Sequence, residues 1–168
     1  KCKNGKTIEG EARSYMEEYR AACLNISNKT QPTTRDKHWS PPTQGKYKVN
    51  VDAAVFKELG CCGLGVVIRN DRGQMMGALC KKVAAPWGAL EAEAKAAEAG
   101  IMFAWDLGLW DIMVEGDSQL VMLALNGSNL PASVIQKVVE GSQRCLSHFK
   151  SWRADHTSRN NNKAEIGR

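Results

Sequence analysis

The sequence has no C-x-x-C pair and only three histidines, so its six cysteines lack the spacing of a zinc site. It has no apolar run of the length needed to cross a bilayer, which argues against a membrane-spanning role. It contains neither an internal repeat nor a low-complexity tract, and with 24% charged and 43% hydrophobic residues its composition is that of a globular chain. The first residue is Lys1, not Met, which reads as a piece excised from a longer protein. A net charge of +5 is compatible with a polyanionic partner but falls short of a dedicated nucleic-acid coat. Cys80 and Cys145 fall in apolar segments, where cysteine acts as a small hydrophobe. A chain this long does not need disulfides to build a core, so reduced thiols in an intracellular protein are expected.

Two regions are legible. Ala12, Tyr15, Met16, Tyr19 and Cys23 recur at helical spacing, which predicts a helix over about Glu9–Leu24 within an N-terminal segment 1–26. Residues 27–45 are rich in Asn, Thr, Pro and Gly and read as a linker. The domain proper is expected over 46–168.

There, Lys46 to Val55 alternates, with Tyr47, Val49 and Val51 on one side and Lys48, Asn50 and Asp52 on the other, as a strand requires. Gly60–Gly63 reads as a turn, Leu64–Arg69 as a second strand, Asn70–Gly73 as a hairpin turn and Gln74–Val83 as a third strand. Pro86 is expected to open a long helix that runs to about Leu107 and is closed by Gly108. A strand at Asp111–Glu115, a helix at Ser118–Leu125, a helix from Pro131 to Leu146 and a strand at Phe149–Ala154 follow. The predicted class is α/β: a mixed five-stranded sheet, an antiparallel meander plus parallel strands, flanked by helices. The first strand should be central and lie beside the strand ending at Glu115.

Three acids stand out within that frame. Asp52 interrupts a strand and is followed by Ala53, Ala54 and Val55, not by a charged surface run; a solvent-facing aspartate is the plainer alternative. Glu93 shares a helical face with the small residues Ala97, Gly100 and Ala104, whereas Glu91 continues into Lys95 and Glu98 and reads as a surface acid. Asp117 follows a strand and precedes a helix, where an Asp-Ser pair is also ordinary capping chemistry. Glu115 is a weaker candidate on the same strand. Like charges about 4 Å apart repel by roughly 4 kcal/mol at an effective dielectric near 20, so a converged cluster calls for a cation. Magnesium takes oxygen ligands and keeps room for a phosphate.

The run Trp39-Ser40-Pro41-Pro42 and Gly45 to Ala54 resembles the opening of plant ribonuclease H-like domains derived from retroelements. Gly63 to Asn70 with Gly73, Ala92-Glu93-Ala94, Leu107-Gly108 and Val114 to Ser118 follow in that family's order. The resemblance implies a ribonuclease H-like fold and hydrolysis of the RNA strand of an RNA–DNA hybrid; the chain is expected to act as a monomer. Asp52, Glu93 and Asp117 would be its catalytic, metal-binding acids, with Mg2+ or Mn2+ as cofactor. It also implies a role for His156 in proton transfer, beside the alternative of a polar loop residue, and nucleic-acid contacts at Asn50, Ser118, Arg159 and Asn162. The family's ending, H-x-x-R-x-x-N-x-x-A-(D/H)-E, is matched by His156, Arg159 and Asn162 and is then two residues short. The fourth metal ligand is then either missing or replaced by Glu165 one residue early, so the expectation is an impaired nuclease. The alternative is an inactive remnant that at most binds nucleic acid.

Overall fold

The structure is a computed structural model that describes residues 40–157, all of them within the unit Lys37–Arg168. The expected N-terminal helix, most of the linker, and Arg159, Asn162 and Glu165 lie outside the described residues.

The alternating segment forms β1, Tyr47–Phe56. A 3-10 turn at Lys57–Leu59 ends at Gly60, whose φ of 56° is the left-handed conformation glycine tolerates. That turn displaces the expected Gly60–Gly63 turn towards the N-terminus, so β2 begins already at Cys61 and runs to Arg69. In the next turn Asn70 Oδ1 accepts the Arg72 and Gln74 amides, returning the chain as β3, Met75–Val83.

The long helix, α1, spans Ala89–Asp106 and starts three residues later than Pro86. The Gly88 amide donates to Glu91 Oε2 at 2.9 Å, so the capping interaction fixes the start at Gly88 and not at the proline. The remaining elements are β4, Asp111–Gly116; α2, Gln119–Leu125; α3, Gln136–Leu146; and β5, Ser151–His156. Between Pro131 and α3 the chain makes short i→i+3 bonds, Ile135 N to Ala132 O and Gln136 N to Ser133 O, which keeps that stretch out of the helix. β5 starts two residues later than the sequence implied because His148 and Phe149 still bond back to Cys145 and Leu146.

The sheet order is β3-β2-β1-β4-β5. β1–β2 and β2–β3 are antiparallel, while β1–β4 and β4–β5 are parallel. The mixed five-stranded sheet with β1 at its centre is therefore the expected architecture. Val49, Val51, Ile112 and Val114 are at most 1% exposed on the face that receives the helices. α1 can approach because Gly100 meets Val49 and Val51 there. Among the described residues no helix is long and apolar enough to cross a membrane.

Candidate metal centre

β1 and β4 run parallel from Tyr47↔Ile112 to Asn50↔Glu115, where their pairing stops. Two residues beyond that last pair, on each strand, stand Asp52 and Asp117. They lie at the carboxyl side of two diverging parallel strands, where open α/β sheets leave a crevice. Glu93 comes from the first half of α1, on the face continued by the buried Ala97 and Gly100. The sequence thus brings the third acid down only because the residues below it on that face are small.

Carboxylate oxygens of Asp52, Glu93 and Asp117 all lie within 4.8 Å of one another, and each residue is half-buried. The donor set is all oxygen and anionic, which fits a hard divalent cation and not a thiolate- or imidazole-preferring one. Three carboxylates at this spacing repel, and a cation relieves the repulsion.

Glu91, three residues after the N-cap Gly88, is kept out of the cluster by its bond to the Gly88 amide. Glu115 is also engaged elsewhere. Its Oε1 pairs with Lys48 Nζ at 2.7 Å, and its Oε2 accepts from Asn50 Nδ2 at 3.2 Å. Asn50 is 0% exposed. Expected at the nucleic-acid surface, its side chain is buried in this structure, and its amide joins β1 to Glu115 of β4. Lys48 is buried in the same group and also donates to Ser40 O at 2.8 Å. The signal was present in the alternation that set Lys48, Asn50 and Asp52 on one side of β1.

Ser118 occupies the N-cap position of α2, yet its side chain makes no capping bond. His156 is not in a loop: it is the last residue of β5, exposed, and in register with Gly116, the neighbour of Asp117. Lys81 and Lys82 are exposed on β3, while Arg153 pairs with Asp155 at 2.6 Å.

The family described as reverse transcriptase-like matches residues 50–164, which include all three acids. No curated protein matches the chain. Among solved structures, the ribonuclease H1 of the halophilic archaeon Halobacterium salinarum superposes with a TM-score of 0.66 at 24% identity, covering 70% of this chain and 89% of that one. The N-terminal ribonuclease H domain of a Mycobacterium tuberculosis protein, fused to maltose-binding protein, gives 0.64 at 21%, covering 71% and 86%. A compost-derived ribonuclease H1 in complex with an RNA/DNA hybrid gives 0.63 at 17%, covering 70% and 89%. The chain belongs to the reverse transcriptase-like family and has the ribonuclease H fold.

Proposed function

We propose that the chain is a metal-dependent endonuclease that hydrolyses the RNA strand of RNA–DNA hybrids. The observation that carries this reading is the convergence of Asp52, Glu93 and Asp117 within 4.8 Å at the divergence of the two central parallel strands. These three residues would hold Mg2+ or Mn2+. A bound ion of this kind lowers the pKa of a coordinated water and stabilises charge on a phosphodiester oxygen.

The protein's own groups do the rest. The three carboxylates fix one point of attack beside β1. His156, exposed at the end of β5 and in register with Gly116, would assist proton transfer. The Ser118 hydroxyl, not engaged in capping, is free to meet backbone oxygens of the substrate. The 2′-hydroxyl is the feature by which such a site selects RNA. With the run Trp39 to Ala54, the same reading makes the chain a plant, retroelement-derived domain that works as an intracellular monomer.

A second reading, the inactive remnant, is favoured by one observation: the C-terminal pattern is two residues short, with Glu165 where the fourth ligand's neighbourhood falls. A single assay separates the two. A hybrid labelled on its RNA strand is incubated with the full chain in Mg2+, in Mn2+ and in chelator. Ion-dependent cleavage that leaves the DNA strand and free single-stranded RNA intact supports the nuclease. Uncut hybrid in every arm supports the remnant.

A further inference from the structure

The three acids are not the only charged groups at the meeting of β1 and β4. Directly before the strands part, Lys48, Asn50 and Glu115 form a buried polar group: Lys48 is 5% and Asn50 0% exposed, and the Glu115 side chain 12%. Asn50 Oδ1 has no hydrogen-bond partner among the described residues. Burying an ion pair contributes little net stability, because desolvation offsets the attraction. Stability is therefore a poor account of why Lys48 and Glu115 sit there.

Register is a better one. The apolar faces of β1 and β4 alternate Val49, Val51 against Ile112, Val114, Gly116. A slip of two residues keeps that alternation, so the alternation alone does not select the native register, which the tight seat of Gly116 against Val51 also favours. Such a slip displaces Asp117 from Asp52 by about 6.6 Å along the strand. In one direction it sets Glu115 opposite Asp52; in the other it sets Asp117 opposite Asn50. Only the observed register gives Glu115 both Lys48 Nζ at 2.7 Å and the Asn50 amide at 3.2 Å.

We infer that Lys48, Asn50 and Glu115 are positioning residues: a buried clamp that sets the β1–β4 register and thereby the spacing of Asp52 and Asp117 on which divalent-ion affinity depends. The inference rests on the metal-dependent reading proposed above. It does not make any of the three a metal ligand.

The test compares the full chain with the double variant Lys48→Met, Glu115→Leu, which removes both charges together and avoids stranding one of them. Mn2+ affinity is measured by calorimetry, metal-free unfolding by a thermal scan, and hybrid cleavage over a range of Mn2+. The expected result is an affinity lower by roughly tenfold, as for partners that orient metal ligands. The Mn2+ needed for half-maximal cleavage rises by the same factor, the rate at saturating Mn2+ holds, and the metal-free midpoint stays near that of the parent. Asn50→Leu keeps the ion pair and gives a smaller loss in the same direction, and it serves if the double variant does not fold. Parental Mn2+ affinity in the folded variants overturns the clamp while leaving the nuclease standing. Absence of Mn2+ binding by the parent overturns both.

Discussion

Gly100 stands so close to β1 that a Cβ built on it would lie 2.7 Å from Val51 Cγ1. Glu93 is two helical turns earlier on the same face of α1, so this contact sets how deeply the third acid reaches towards Asp52. Gly100→Val should therefore act twice. Overpacking is expected to lower stability by about 1–3 kcal/mol. The lifted helix should also weaken ion binding. Thermal unfolding and Mn2+ calorimetry on the same variant check this; a stability loss with unchanged affinity would show that α1 can shift without moving Glu93.

Asp52→Asn should abolish cleavage, by at least about a thousandfold or roughly 4 kcal/mol of barrier. The fold should survive, because the substitution is nearly isosteric and relieves repulsion among three clustered carboxylates. In the parent, Mg2+ or Mn2+ at a hundred times its dissociation constant should stabilise the native state by about 2.7 kcal/mol. In Asp52→Asn that increment should shrink or vanish. A parent whose unfolding midpoint ignores both ions would contradict the proposal.

The two glutamates of α1 should separate cleanly. Glu91→Gln weakens only the bond to the Gly88 amide, with an expected cost of about 0.5–1 kcal/mol and cleavage near the parental rate. Glu93→Gln should reverse the pattern, leaving stability almost intact and removing activity. Equal effects on activity would mean that the start of the helix, and not one carboxylate, governs the site.

Inserting two residues after Ala164, the second an aspartate, restores the family's C-terminal spacing. The rate of hybrid cleavage should rise by about tenfold or more, corresponding to roughly 1.4 kcal/mol for each factor of ten. Steady-state assays of the two chains side by side measure it. An unchanged rate would show that Glu165 already serves or that no fourth ligand is needed.

Much of this architecture was legible because it is local. The alternation of Tyr47, Val49 and Val51 gives β1 directly, and Asn70–Gly73 gives the hairpin. The shared face of Glu93, Ala97 and Gly100 separated two nearby glutamates. Boundaries shifted where a side chain outcompeted a familiar marker: Glu91 overrode Pro86 at the start of α1, and the turn after α3 delayed β5 until Ser151. The burial of Asn50 is not legible, for a different reason. Its partner Glu115 lies 65 residues away, and nothing local to either residue announces that distant bond.

The same separation has a consequence for how the chain matures. Asp52 belongs to the meander, Glu93 to the crossover helix and Asp117 to the strand that crossover delivers, so a nascent or partly collapsed chain owns the acids without owning their convergence. Non-local pairing of β1 with β4 carries a heavy loop-closure entropy and is expected late. The constellation is thus an emergent readout of completed topology: a truncated chain ending before Asp111 would keep two of the acids and the entire hairpin, yet could not assemble all three.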